Sequence, residues 1–339
     1  MHIHRVTSRP AIAVVGGESL LGKEVRELLD SADLEASIKL IASYEGEESI
    51  ITRGRDEPLL MTSLQAAELG TARIAILAGS GESSRKAYEQ LRRATPAPVV
   101  IDLTGALEDQ PETRLRAPMV EPADFRAASP IHAIAHPAAI AVALFLIQLQ
   151  KAATVRRSVI NIFEPASERG QAGLDELQKQ TAGLLSFQPL AKEVFDAQVS
   201  FNMLSQYGSE SSHSLAEIET KIDRHLASLL AAAGAVPMPS FHLIHTPVFH
   251  GYSVSAWTEF ENNPGVETIE RALASGSIDV RTKEHEPPTN VGVAGQSGIT
   301  VGSIVIDRNQ PRACWFWVVA DNLRITAENA VEVARELLR

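Results

Sequence analysis

The chain has 339 residues, 45% of them hydrophobic, enough for two domains with sizeable cores. Its 31 Lys and Arg against 42 Asp and Glu give a formal net charge of -11, which repels phosphate backbones and anionic lipid and argues against nucleic acid or a membrane as the main partner. One cysteine, Cys314, excludes an internal disulfide framework and any multi-cysteine metal site. The opening MHIHRVTSRP lacks the apolar core of a signal peptide, and no run reaches the roughly 18 uncharged apolar residues of a membrane span, so a cytoplasmic protein is expected.

AIAVVGGESLLGKEVRELL reads as a strand, a tight turn and a helix, with Leu20, Leu21, Val25, Leu28 and Leu29 at helical spacing. Gly16, Gly17 and Gly22 place small residues where backbone N–H groups and a helix N-terminus can meet a pyrophosphate. Ser19 stands where a glycine would let the phosphates approach most closely, so NAD or NADP binding is expected to be weak. IKLIAS, IAILAG and APVVIDLTG follow at intervals filled by polar or helical stretches. This alternation predicts a Rossmann-like doubly wound α/β domain over residues 10–135.

The second run ends at Ser43 and continues into Tyr44, Glu45, Glu47 and Glu48. These supply no cation for a 2′-phosphate, which predicts NAD at least as good a ligand as NADP; a plain solvated acidic loop is the other reading. Gly79 and Ser80 lie in LAGSGESS, a small-residue loop suited to a dinucleotide contact or simply to a turn.

At residues 134–142, IAHPAAIAV, a strand runs into a helix, a place suited to a reactive side chain, and it offers Ala138 and Ala139. Beyond it, RRSVINIFEP, FHLIHTPVFHGYSVSAWTEFE, TVGSIVIDR and ACWFWVVA read as strands of a mostly antiparallel or mixed sheet in an α+β domain over residues 136–321. Apolar and aromatic residues at both alternating positions imply that more than one face needs cover, which predicts a homodimer. Cys314 reads as a buried structural thiol. The last helix, within 322–339, is expected to complete the first domain.

In order, VVGGESLLG, AGSGESS, VIDLTGA, APMVEPADF, IAHPAAIA, FNMLSQYG, TPVFHGYS, PPTNVGVAGQSG, VGSIVIDR and VVADNLRITAENAVEVARELL resemble aspartate-semialdehyde dehydrogenase across almost the whole chain. FNML, TPVF, PPTNVG and ADNLR are most similar to the Usg-type paralogues of that enzyme. The resemblance implies a dinucleotide-binding domain, a substrate and dimerisation domain, and NADP-dependent oxidation of an acyl semialdehyde to an acyl phosphate. It also implies a cysteine thiolate, an acid/base histidine, an orienting glutamine and a carboxylate-binding arginine. The nucleophile motif, asparagine-proline-asparagine-cysteine, falls on His136, Pro137, Ala138 and Ala139. The glutamine falls on Glu164, the arginine on His245 and the histidine on Tyr252. Alanine has no lone pair with which to attack a carbonyl, and none of the four roles is filled. Asn322, in ADNLR, falls near the family's cofactor; Asp321 and Asn322 also fit a plain helix N-cap.

Three functions are compatible with this pattern. The first is an inactive paralogue that works as a homodimer or as the partner of an active paralogue. A second is an active oxidoreductase or metal-dependent enzyme in a remodelled pocket, for which His136, Glu164 and His245 offer metal-ligand chemistry. Ten histidines make chance co-location easy, and no metal is expected. The third is a regulatory protein that responds to NAD.

Overall fold

Ala11–Val15 (β1) is an uninterrupted apolar run, and every residue in it is buried, as a strand covered on both faces requires. It belongs to the first of two compact units, Met1–Pro118 with Phe125–Ile134 and Thr326–Arg339; the second is Met119–Asp124 with Ala135–Ile325. The computed structural model describes residues 9–43, 50–53, 58–64, 69, 71–122, 125, 127–234 and 236–339, with 50–53 and 58–60 described through their backbone.

The first unit holds an eight-stranded sheet in the order β3-β4-β2-β1-β5-β6-β8-β7. Its further strands are β2 (Ser37–Ile41), β3 (Ile50–Arg53), β4 (Pro58–Thr62), β5 (Ile74–Leu77), β6 (Val99–Asp102), β7 (Thr113–Arg116) and β8 (Ile131–Ile134). All neighbours run parallel except β3, which is antiparallel to β4. Chain order reverses between β1 and β5, the position where open α/β sheets bind ligands. Helices α1 (Leu20–Ser31) and α2 (Gly81–Leu91) follow β1 and β5, and Val15, Ile41, Leu77, Ala87, Leu91 and Ile131 share one core cluster. This is the doubly wound parallel arrangement that the alternating runs predict.

The edge strands β3 and β7 are short, and TRLR of β7 carries charge where an apolar run would mark a strand. Arg116 at its end is buried and donates to the Glu336 carboxylate at 2.7 Å, on the part of α7 (Asn322–Leu338) that belongs to this unit. Arg73 donates to the Leu337 carbonyl at 2.8 Å.

The second unit is built on a six-stranded mixed sheet, ordered β10-β9-β11-β14-β13-β12. Its strands are β9 (Val155–Glu164), β10 (Ser240–His245), β11 (Tyr252–Phe260), β12 (Ile278–Arg281), β13 (Ile299–Ile306) and β14 (Ala313–Ala320). Its helices are α3 (Pro137–Ala152), α4 (Gly170–Leu185), α5 (Leu215–Ala233) and α6 (Val266–Leu273), with a 3-10 turn at Ala166–Arg169. The outer pairs β10/β9 and β12/β13 are parallel and the inner ones antiparallel.

Alternation assigns the two faces of this sheet. Ile160, Ile162, Val254, Ala256, Phe316 and Val318 are buried under α3, whose Phe145 meets Phe316 edge-on at 5.0 Å. On the opposite face, register aligns Val159, Trp257, Trp315 and Val305 in one row across four strands. Trp315 remains 41% exposed and Val159 and Val305 49%. The indole N–H groups of Trp257 and Trp315 both donate to Asp307, at 2.8 and 3.0 Å, which fixes the two rings side by side.

The run FHLIHTPVFHGYSVSAWTEFE, which reads as strand throughout, is two strands separated at residues 246–251. Pro247 has no ladder donor, and Gly251 sits at φ +84°, where a side chain is strained. The break sends β10 and β11 to opposite sides of β9. Among the described residues no helix is long and apolar enough to cross a membrane.

Candidate functional sites

In the first unit the glycine turn between β1 and α1 has the geometry of an anion cradle. Gly16 is at φ +84°, and a Cβ there would stand 2.4 Å from the Gly79 backbone; one on Gly22 would stand 2.1 Å from the Gly16 carbonyl oxygen. The strand–turn–helix unit therefore closes only with glycine at these places. Ser19 is the N-cap of α1: its hydroxyl accepts from Gly22 N–H at 2.8 Å and donates to the Ala78 carbonyl at 2.7 Å. That takes one of the N–H groups a helix start offers an anion and leaves those of Leu20 and Leu21 outside the intrahelical pattern.

Gly17, Ser43, Gly79 and Ser80 gather around the same turn. Gly17 N–H donates to the Ile41 carbonyl at 3.3 Å, and Ser80 caps α2 through a reciprocal pair with Ser83. Ser43 is held by Glu18, whose Oε1 accepts from its backbone N–H at 3.0 Å and from its hydroxyl. A dinucleotide fits this turn through two free helix-start amides and a close-packed glycine backbone, with fewer donors than a glycine at position 19 would leave. Tyr44, Glu45, Glu47 and Glu48 lie outside the described residues.

In the second unit three strand ends converge. His245, the last residue of β10, pairs with Glu164, the last of β9; Tyr252, the first of β11, precedes Ser253, which pairs with Phe163. All three are fully buried. Tyr207 links two of them, its hydroxyl donating to Glu164 Oε1 at 2.8 Å and lying 3.1 Å from His245 Nδ1. Because the single phenolic proton points at Glu164, His245 Nδ1 donates and Nε2 is left as an acceptor. Arg169, from the 3-10 turn, reaches the same Glu164 oxygen with Nη2 at 3.1 Å.

His136 caps α3, its Nδ1 accepting from Ala138 N–H at 3.3 Å and its own N–H donating to His225 Nδ1 at 2.9 Å. Its Nε2 faces Glu168 Oε2 at 3.8 Å and its ring meets Tyr252 edge-on at 6.0 Å. Glu168 Oε1 accepts from the Asn322 amide at 2.8 Å. The Asn322 oxygen in turn accepts from Ser167 Oγ and Gly251 N–H at 3.2 and 3.0 Å. Asp321 accepts from the N–H groups of Leu323 and Arg324, as an N-cap does. Asn322, a cofactor candidate in the sequence, is thus engaged inside the second unit.

The electrostatics of this cluster disfavour proton transfer at most of its members. Burial first, then Arg169, pushes His245 down to about 3, so it is neutral at physiological pH. Burial first and Lys221 second hold His136 well below the usual imidazole range. The Tyr252 phenol is pushed up by burial and then by Glu168 and Glu164. Burial opposes charge on Arg169, but Glu164 with Tyr207, Glu168 and Tyr252 outweighs it, and the guanidinium stays protonated. Only Glu168 moves into the neutral range, to about 7, through burial first and Glu164 second.

No cysteine stands among these side chains. Ala138 and Ala139 occupy the first turn of α3, where a helix N-terminus would favour a thiolate, and both are fully buried methyls. Cys314 is also buried, its thiol pushed up by desolvation. It pairs with Thr258, six residues along the β11 ladder from Tyr252, about 20 Å away. Among the described residues no group of three or more His, Cys, Asp or Glu side chains is placed to hold a metal ion. His242, three residues from His245, points the other way and pairs with Glu219 at 2.8 Å.

Residues 146–325, more than half of the chain, match the family described as semialdehyde dehydrogenase, dimerisation domain. The chain belongs to the semialdehyde dehydrogenase family. Its relatives include the USG-1 protein homolog of Pseudomonas aeruginosa, 28% identical with 97% of each chain covered. The aspartate-semialdehyde dehydrogenase of Rickettsia bellii is 25% identical over 98% of this chain and 99% of that one. The crystal structure of aspartate semialdehyde dehydrogenase II from Vibrio cholerae superposes with a TM-score of 0.82 at 25% identity, over 97% of this chain and 98% of that one.

Within the family frame, Glu164, His245 and Tyr252 are brought together, and His136 joins them through its contact with the Tyr252 ring. The sequence reading missed Glu168, Arg169, Tyr207 and His225. One signal was available: SERG places adjacent opposite charges directly after Glu164-Pro165-Ala166, at the end of a strand already known to enter the site.

Proposed function

We propose that this chain is a non-catalytic member of the semialdehyde dehydrogenase family that acts by binding, as a homodimer or beside an active paralogue, and that its first unit retains weak affinity for a nicotinamide dinucleotide. One observation carries the reading: the family's nucleophile position holds a methyl, Ala139, and the side chains at the other three altered positions, Glu164, His245 and Tyr252, converge in one buried cluster that contains no cysteine. Glu164 is engaged by Arg169 and Tyr207, and His245 by Tyr207. Tyr252 is a buried phenol pushed towards its protonated form, and a methyl stands at position 139. A thiohemiacetal has no sulfur to form on, and His245 is neutral where a cation would bind a carboxylate.

The decisive assay supplies aspartate semialdehyde, phosphate and NADP or NAD to high concentrations of purified protein. No turnover is expected; a rate of about 1 per second, near the low end for ordinary enzymes, would overturn the reading.

Support for the homodimer comes from the open sheet face, where Val159, Trp257, Trp315 and Val305 form one apolar row in a chain whose matched family is a dimerisation domain. Such an interface is self-complementary about a two-fold axis and survives loss of catalysis because it serves stability. Sedimentation at micromolar concentration is expected to give a dimer, and Trp315→Lys a monomer; a wild-type monomer at every concentration would refute it.

A further inference from the structure

One carboxylate of the first unit has only half of its acceptor capacity filled. Glu18 Oε1 receives two donors from Ser43, the backbone N–H and the hydroxyl. Its Oε2 is buried and has no hydrogen-bond partner. The place is specific: Ser43 lies just past the end of β2, next to β1, and the chain reverses its order between β1 and β5. In doubly wound sheets the adenosine ribose of a dinucleotide lies at that strand end, and an acidic group reads its hydroxyls. Here the strand end carries serine, and the acid arrives from the glycine turn instead.

We propose that Glu18 is the ribose-reading residue of this turn, its Oε2 accepting from the ribose hydroxyls of NAD and excluding the 2′-phosphate of NADP. The proposal rests on the reading that the first unit retains dinucleotide affinity, and it adds the residue that decides which dinucleotide. Two donors on Oε1 fix the carboxylate before any ligand arrives, so little side-chain freedom is lost on binding. A buried acceptor without a donor is unfavourable, and a vicinal diol supplies the donors it lacks. A phosphate ester on the 2′-oxygen removes that donor and sets two negative charges against a third. Ser19, adjacent in sequence, narrows the phosphate cradle but leaves the ribose side of the turn to Glu18.

Calorimetric titration of the full chain, its Glu18→Gln and its Glu18→Ala forms with NAD and with NADP tests this, with thermal melts as the folding control. Wild type is expected to bind NAD about tenfold more tightly than NADP, the cost of one like-charge contact. Glu18→Gln, which can still accept from Ser43, is expected to bring the two ligands within about threefold, and Glu18→Ala to weaken NAD about tenfold without strengthening NADP. Preference for NADP in wild type, or an unchanged ratio in both variants, would overturn the proposal. Tighter binding of both ligands by Glu18→Ala would make Glu18 a plug rather than a reader, sinking the proposal while the dinucleotide site stands. If none of the three proteins binds either ligand, the retained site fails and the proposal with it.

Discussion

The glycine turn of the first unit and the strand-end cluster of the second both depart from the pattern that the family resemblance implies, and they depart differently. In the turn the working parts are backbone groups, and a change at one side chain, Ser19, removes only one N–H from use. In the cluster the parts are side-chain atoms: Glu164 Oε1 and His245 Nδ1 are engaged by Tyr207, while Glu164 Oε2, His245 Nε2 and Tyr252 Oη are buried without a hydrogen-bond partner. Backbone chemistry degrades gradually because the fold itself maintains it. Side-chain chemistry rests on individual atoms, so a single substitution can remove it.

This contrast can be broken or sharpened by substitution, beginning with Arg169. It neutralises a cluster holding Glu164 and Glu168, so Arg169→Met is expected to cost about 3–5 kcal/mol in urea unfolding through the uncompensated carboxylates. A cost under about 1 kcal/mol, the range of exposed ion pairs, would show that water reaches the cluster. Glu168→Gln runs the other way. Its folded pKa of about 7 lies above the ordinary 4.5, so the native state holds the extra proton between those values and loses stability as pH rises through them. The variant is expected to be more stable than wild type by about 3 kcal/mol at pH 8, with the gain vanishing below pH about 4.5.

Tyr207→Phe removes the hydroxyl shared by Glu164 and His245 and is expected to cost about 1–3 kcal/mol. His245 supplies a slope rather than an offset. Its folded pKa is depressed from 6.5 to about 3, so the unfolded chain binds a proton the native chain does not, and stability falls as pH drops through that window. His245→Gln should flatten the pH dependence there by about 1.4 kcal/mol per pH unit; an unchanged slope would mean the ring is already protonated in the fold. The smallest effect belongs to the turn: Ser19→Gly is expected to cost a few tenths of a kcal/mol, as glycine also caps helices, and to strengthen NAD binding measurably by freeing the Gly22 N–H.

The same contrast explains what the sequence made legible. Buried strands announce themselves as apolar runs, so β1, β5 and β6 could be read directly, whereas β7 could not, because it carries two arginines, one exposed and one, Arg116, buried against a partner 220 residues away in the chain. The strand ends at His245 and Tyr252 were blurred because apolar residues continue through the break between them. Three site positions, Glu164, His245 and Tyr252, were found through the pattern of the family that the chain resembles. Glu168, Arg169 and Tyr207 were not, since a charged pair in a turn normally faces solvent and nothing in one sequence marks its burial. Glu18 escaped for the same reason: an acid in a glycine turn reads as a solvated loop until its partner just past β2, Ser43, is seen.

Ala139→Cys is the most direct test of the claim that the site lost a set of functions rather than one. The substitution restores a sulfur at the first turn of α3, where the helix N-terminus favours a thiolate, and leaves Glu164, His245 and Tyr252 as they are. With aspartate semialdehyde, phosphate and either dinucleotide, the folded variant is expected to show no turnover, because the family's base, anchor and orienting positions still carry Tyr252, His245 and Glu164. Turnover of about 1 per second in that single variant would contradict the account, since one missing atom would then have been the whole difference between this chain and an enzyme.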